Sequence, residues 1–472
     1  MNAQVLNNMG KHKSHNEKYS LLILITLFFI FNLIFIFYQE NIWWDAAVYT
    51  GMGKYIYSAG NSGLFESVRP VVWPLILGLL WKTGIDIIFF GKLASLFFSL
   101  GVLIMTFLIA KEIFDKKVAL LSVLLLALAP TFFFFSKIML AGIVSTFFVL
   151  VAVYLFLRKS YFFSGIFFGL GFMTRFLQLF AFIAVVILFL IYNKRDRVIN
   201  FLKLLVGFFI PVFPYLMSNY ILYNNIFYPF MLQALLTKVT GWIWFEPFWF
   251  YFIEMFKENF LYIFAVFGLF YLFKKKIDFG KLTIVYLFFT FFLFFTLTKH
   301  KEMRFLLVLL PYLSIITAFG LIRSFERLNQ KNIKIPLFYI LIIFIFQASL
   351  SIYANEKTEF EKENRFIEFQ SYLNDASGNI WISNPVYAAY SDKKIGELVY
   401  YPVFNADKIN SLNSKLGKAD VVLLDTCDLL CNPDDTECQK RKENFLNNIR
   451  NKFEIDFNNK YGNCEQFIFS KR

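Results

Sequence analysis

The chain has 472 residues, of which 58% are hydrophobic, 21% aromatic and only 17% charged. Soluble domains are about half apolar and about a quarter charged, so the composition excludes disorder, a disulfide miniprotein, a coiled coil and a soluble multidomain protein. The formal net charge is +14, and three His and four Cys leave little for a His/Cys metal centre or a haem.

A helix needs about 20 mostly apolar residues to cross a bilayer. Residues 20–38 are the first such run, behind a polar N-terminus (1–19) holding Lys11, Lys13 and Lys18. A cleaved signal peptide is the competing reading, but the run is long and has no small-residue cleavage site. Further runs lie at 89–110, 118–135, 143–157, 162–173, 177–192, 202–220, 260–273, 282–297, 305–322 and 336–353, about eleven spans in all by the length criterion. The short runs 162–173 and 177–192 read as a broken pair that does not reach fully across. Residues 71–81 are apolar but too short to span, and read as a helix near the surface.

The loops alternate in charge. Lys111, Lys116 and Lys117; Arg158 and Lys159; Lys194, Arg195 and Arg197; Lys274, Lys275 and Lys276; and Arg323, Arg327, Lys331 and Lys334 form one basic set. The positive-inside rule places it in the cytoplasm. The net charge is therefore topology, and nucleic acid is not an expected partner. The N-terminus falls inside. The first loop (39–88), 136–142, the turn at Arg175, 223–259, 298–304 and the tail from 354 fall outside.

The tail, 354–472, has the composition of a small soluble domain. Strand-like runs at 380–383, 398–401, 421–424 and 467–469 alternate with helical segments such as 435–453, and 359–374 precedes them, which suggests a small α/β layer. No Gly-rich phosphate loop is present. All four cysteines, Cys427, Cys431, Cys438 and Cys464, lie here. An even count in an outside domain favours two disulfides. A zinc site is the sharper reading, but the gaps do not match a paired C-x-x-C ribbon. Connectivity stays open. The expected class is an α-helical polytopic membrane protein, its transmembrane part at 20–353, with a C-terminal extracytoplasmic α/β domain.

An ionisable group beside hydrocarbon needs a partner or a task. In the first loop Trp43-Trp44-Asp45-Ala46-Ala47-Val48-Tyr49 precedes a Gly/Ser-rich stretch and then Val68-Arg69-Pro70-Val71-Val72-Trp73-Pro74. Aromatic surroundings can raise the pKa of an acid such as Asp45 and suit it to accept a proton. The alternative is a helix N-cap for residues 46–58.

This order, an acid after the first span, an aromatic, then Arg-Pro and an apolar Pro-Leu-Ile-Leu-Gly-Leu-Leu run, resembles the GT-C glycosyltransferases. The similarity is greatest to the branch of protein O-mannosyltransferases and the lipid A aminoarabinose transferase. Phe90-Gly91-Lys92-Leu93-Ala94-Ser95, Lys111-Glu112-Ile113-Phe114 and Leu126-Ala127-Leu128-Ala129-Pro130 fit it too. So does Thr298-Lys299-His300-Lys301-Glu302-Met303-Arg304-Phe305, which resembles a His-Lys-Glu-x-Arg-Phe element. The resemblance covers about residues 20–350 and implies an inverting hexosyl or pentosyl transfer from a polyprenyl-phosphate sugar to a protein, lipid or glycan acceptor. Asp45 would be the general base. Arg69, Lys92, Lys137, Arg175, Lys301 and Arg304 face outside and could serve the phosphate; lipid-headgroup contact or snorkelling is the alternative for each. Glu302 with Arg304 also reads as a structural ion pair at a helix start. Many members carry a second acid in a Met-Leu-x-Asp-like context. Here Lys137-Ile138-Met139-Leu140-Ala141-Gly142-Ile143 has none, which opens a divalent-metal requirement or activity itself to question and leaves Glu66, Glu246 and Glu302 as candidate substitutes.

Asn225-Ile226-Phe227-Tyr228-Pro229 also resembles the family, and Trp242 and Trp244 follow with Glu246 and Trp249. Such aromatics can stack on a sugar, line a lipid groove or form an interfacial belt. Two other readings stand beside the transferase: a glycolipid transporter or flippase, which predicts charges near the membrane midplane, and a non-catalytic scaffold, in which Asp45 would be dispensable. Ser/His/Asp hydrolysis has no support, since His12 and His15 lie in the N-terminus and His300 lacks a G-x-S-x-G partner.

Overall fold

The structure is a computed structural model that describes residues 3–39, 41–192, 197–274, 277–330, 337–360, 372, 376–400 and 406–471. Lys194, Arg195, Lys275, Lys276, Lys331, Lys334 and most of the expected helix 359–374 lie outside the described residues.

Five described helices are long and apolar enough to cross a membrane: Tyr19–Tyr38, Ile87–Ile113, Arg197–Tyr223, Phe279–Leu297 and Phe338–Glu359. Phe250–Glu258 and Phe260–Phe273 make a sixth if this pair, bent by 119°, counts as one span. The other expected spans are not among these helices. Run 118–135 divides into Lys116–Ala127 and Pro130–Phe135, with Ala129 extended between them; a residue before proline is pushed out of the helical region. Runs 162–173 and 177–192 form Tyr161–Thr174 and Phe176–Tyr192, both too short to count as spans, with Arg175 extended at the break. Run 305–322 is a 3-10 turn, Met303–Val308, followed by the helix Leu310–Gln330. Val72–Lys82 has 11 residues, as short as expected.

The chain packs as two compact units. The first comprises Met1–Gln39, Lys92–Ser218 and Glu246–Lys362. It is helical, and small residues let its backbones touch. A Cβ at Gly320 would lie 2.0 Å from Phe264 O, so Ile263–Phe273 and Leu310–Gln330 pack backbone to backbone only because that position is glycine.

The second unit comprises Glu40–Gly91, Asn219–Phe245 and Glu363–Arg472, so the first loop and the tail pack together. Its sheet has five strands: β1 Ile380–Ile382, β2 Ile395–Leu398, β3 Val421–Asp425, β4 Phe453–Tyr461 and β5 Cys464–Lys471. The order is β2-β1-β3-β5-β4. The first three are parallel, and β5 runs antiparallel to β3 and β4. The expected strand at 398–401 is displaced to β2, with Tyr401 outside the described residues, and β4 is a strand the sequence reading did not assign. The expected helix 435–453 is Thr436–Lys452, capped by Asp435 through Cys438 N–H.

The sheet is apolar on both faces. On one, Ile380, Ile382, Ile395, Leu423 and Ile468 pack with Val48, Met52 and Leu64 of the first loop. On the other, Trp381, Val422, Leu424, Phe467 and Phe469 pack with Ile409, Leu412, Phe445 and Ile449 of the tail helices. The first loop is thus one of three layers. Its own helices, α1 Trp44–Tyr57 and α2 Val72–Lys82, cross at two glycines. A Cβ at Gly53 would sit 2.6 Å from Gly78 N, and one at Gly78 2.5 Å from Gly53 O.

Cys427 bonds Cys464, and Cys431 bonds Cys438. Of the three possible connectivities the structure adopts this one, and it has the two disulfides expected. The Cys427–Cys464 bond ties the segment after β3 to the start of β5 across 37 residues. All four cysteines are expected to resist alkylation until reductant is added, read by mass shift. Replacing Cys427 and Cys464 with Ser is expected to destabilise the tail by about 2–5 kcal/mol in thermal or denaturant melts.

Candidate functional site

Two polar clusters, one in each unit, gather most of the residues singled out from the sequence.

In the second unit, Trp43 occupies the position before α1 with an extended backbone and no side-chain cap, and Asp45 lies in the first turn. The N-cap reading of Asp45 is therefore not met. Its negative charge suits the helix N-terminus, but its carboxylate is turned to a cation: Asp45 Oδ1 is 2.7 Å from Arg69 Nη2. Arg69 Nε donates to Glu66 Oε2 at 2.7 Å, and Tyr400 Oη donates to Glu66 Oε1. The Arg69 guanidinium also lies over the Tyr49 ring at 5.4 Å, and Trp44 meets the Tyr400 ring at 5.6 Å. Asp45 and Arg69 keep side-chain exposures of 20% and 18%. Burial works against the Arg69 charge, but Asp45 and Glu66 outweigh it and hold its pKa well above the ordinary arginine value. Arg69 stands between the two carboxylates and offsets one of their two negative charges.

The same unit clamps the loop from beneath. Lys54, only 2% exposed, donates to Ala389 O at 2.8 Å and Ser391 O at 3.1 Å, and pairs with Asp392 at 3.0 Å. Burial depresses its pKa despite Asp392. Gly63 N donates to Lys393 O, and Ile395 N to Gly63 O, so the loop adds a parallel bridge to the edge of the sheet. Trp242 and Trp244 are half-buried in the turn after the helix Tyr228–Thr240.

In the first unit the 298–305 segment folds on itself. Glu302 Oε1 lies 2.6 Å from His300 Nε2 and 2.8 Å from Arg304 Nη2. Tyr251 Oη donates to Glu302 O at 3.0 Å and accepts from Glu302 N at 3.1 Å. Burial disfavours the Glu302 charge, but His300 and Arg304 hold its pKa below the usual carboxylate range. The expected Glu302–Arg304 ion pair is thus present. Lys301 is buried, donating to Glu246 O at 2.9 Å. Arg175 and Arg304 both lie over the Phe305 ring, at 5.3 and 5.8 Å. A Cβ at Gly142 would be 3.4 Å from Arg175 Nη1.

Lys137 is placed elsewhere in this unit. Its side chain is wholly buried and paired with Glu356, with the rings of Phe35, Phe133 and Phe134 at 5.4, 5.0 and 5.5 Å. Lys92 is also buried and donates to Gln39 O. Sequence reasoning missed Tyr400, Tyr251 and Glu356, whose partners lie 334, 51 and 219 residues away; no local signal marks them.

The family model for dolichyl-phosphate-mannose-protein mannosyltransferase matches residues 68–218. The fold is similar to that of ArnT from Cupriavidus metallidurans bound to undecaprenyl phosphate, with a TM-score of 0.67 and 9% identity over 95% of this chain and 97% of that one. It is also similar to the archaeal oligosaccharyltransferase AglB from Archaeoglobus fulgidus, in complex with an inhibitory peptide and a dolichol-phosphate. There the TM-score is 0.54, with 11% identity over 86% of this chain and 69% of that one. No curated protein sequence matches the chain. The resemblance to GT-C glycosyltransferases is borne out by the family model, over residues 68–218, and by the shared fold. The chain is a multi-pass membrane protein of this architecture.

The Glu302 network makes a pH prediction. A carboxyl whose folded pKa is depressed below 4.5 contributes stability that is present above that pH and is lost as pH falls through the folded value. Melting temperature of the wild type is expected to drop below about pH 4.5 more steeply than that of Glu302→Gln, measured side by side in detergent.

Proposed function

We propose that this protein is a membrane glycosyltransferase that moves a sugar from a polyprenyl-phosphate donor to an acceptor on the outer face of the membrane. The observation that carries the reading is Asp45, held by Arg69 at the head of the first-loop helix and still accessible. The shared fold supports the donor class, since ArnT is seen with undecaprenyl phosphate and AglB with dolichol-phosphate.

The chemistry balances with residues of this chain. An acceptor hydroxyl is a weak nucleophile until it loses its proton, and Asp45 takes that proton as the oxygen attacks the anomeric carbon. The bond from that carbon to the phosphate oxygen breaks, and its electron pair leaves with the polyprenyl phosphate. A leaving phosphate needs fixed positive charge. Arg304, Arg69 and Arg175 are the cations this reading assigns to that phosphate, since guanidinium forks suit phosphate oxygens. Trp242 and Trp244 are the aromatic faces assigned to the sugar. Lys137 and Lys301 serve the fold instead, because their ammonium groups are already committed. The N-terminus is assigned to the cytoplasm and the disulfide-bonded tail to the oxidising side, which agrees with the basic loops.

Asp45→Asn is expected to lower turnover by at least about 10²-fold while donor binding and melting temperature are kept, measured as release of label from radiolabelled polyprenyl-phosphate sugars in liposomes. A fully active Asn variant would sink the assignment.

A further inference from the structure

Tyr400 belongs to the tail, yet its hydroxyl donates to Glu66 in the first loop, 334 residues earlier. The two Glu66 oxygens are therefore split: Oε2 takes Arg69 Nε, and Oε1 takes Tyr400. Arg69 Nε and Nη2 lie on one edge of the guanidinium, the edge that a carboxylate grips with both oxygens when it is free to do so. In this structure that edge is shared, with Nε on Glu66 and Nη2 on Asp45. A Glu66 carboxylate without Tyr400 could turn its second oxygen onto Nη2 and draw it away from Asp45.

Tyr400 is itself firmly placed. Its ring meets Trp44, the neighbour of Asp45. Val399 before it is fully buried and donates through its backbone to Ile382 O at 2.7 Å, at the end of β1. The loop it touches is fastened to the same sheet through Gly63 and Lys54. The hydroxyl thus reaches Glu66 from a rigid support.

We propose that Tyr400 is a positioning residue for the transfer reaction: by occupying one oxygen of Glu66, it keeps Arg69 on Asp45. The proposal rests on Asp45 being the base. Arg69 faces Asp45 directly, and Glu66, Tyr49 and, through Glu66, Tyr400 are the groups set around Arg69.

The sign of the effect follows. Arg69 beside Asp45 favours the charged, proton-accepting form. In Tyr400→Phe the ring contact with Trp44 remains and only the hydroxyl is lost. Arg69 then shifts toward Glu66, and Asp45 holds its proton to higher pH. Glu66→Gln does the opposite, since it removes an anion and leaves the guanidinium to Asp45.

The test is the acid limb of the kcat/KM profile in liposomes. It is expected to move up by about one pH unit in Tyr400→Phe and down in Glu66→Gln. The same shifts are expected in the titration of the Asp45 carboxylate itself, read without donor from infrared difference spectra of 13C-aspartate protein, wild type minus Asp45→Asn. An unmoved midpoint in Tyr400→Phe, or shifts of the same sign in both variants, would overturn the proposal. A wild type that transfers nothing would instead overturn the transferase reading, and the infrared titration would still decide the role of Tyr400.

Discussion

One guanidinium between two carboxylates is the constraint on which the first loop depends. Arg69 cannot shed its charge, and Asp45 and Glu66 face it at 2.7 Å each. Without it the two acids would repel in an aromatic, half-buried setting. With it each acid has a cation at hydrogen-bond distance, and Asp45 is turned toward Arg69. The rest of the second unit serves this geometry. Gly53 and Gly78 let α1 and α2 touch, which returns the chain and brings the Arg69 turn back over Asp45. The underside of α1 is then buried on the sheet by Val48 and Met52. Lys54, in the same helix, gives its charge to the tail rather than to solvent. A buried ammonium is costly unless it is paired and hydrogen-bonded, so its three tail acceptors make the docking specific as well as tight.

The first unit meets the same cost differently. Polar groups among apolar helices must find partners within the fold. Lys137 does so by pairing with Glu356 inside a cage of three phenylalanines. Truncating one partner of such a pair would leave a bare buried charge, which is far costlier than the pair is favourable. A lysine expected to face outside is thus wholly buried against Glu356. The 298–305 segment differs, because Glu302, His300 and Arg304 keep side-chain exposures of 16 to 20%. Their mutual pairing orients them without sealing them off.

Composition and charge alternation were enough to read the membrane class, because hydrocarbon tolerates few other sequences. Asp45 and Arg69 were legible because an acid and an arginine beside a span are expensive and few. Span boundaries were less legible: a run of apolar residues does not reveal that Pro130 will end one helix or that Arg175 will interrupt another. The strand β4 was missed because its apolar residues, Phe453, Ile455 and Phe457, follow a long helix without a strong turn signal. Four cysteines in the tail announced disulfides, but pairing is a property of the sheet that brings Cys427 to Cys464. Tyr400 and Glu356 were illegible for the same reason, since each acquires its meaning from a partner hundreds of residues away.

The absent second acid acquires a physical sense from Gly142. That position lies beside Arg175, and no carboxylate projects from it. Arg175 instead shares the Phe305 ring with Arg304. In this cluster Glu302 pairs with both His300 and Arg304. The glycine that stands where the family pattern has an acid thus sets no carboxylate against the Arg175 guanidinium at this position, and the nearest carboxylate pairing in the segment is the one Glu302 makes with its own neighbours, His300 and Arg304.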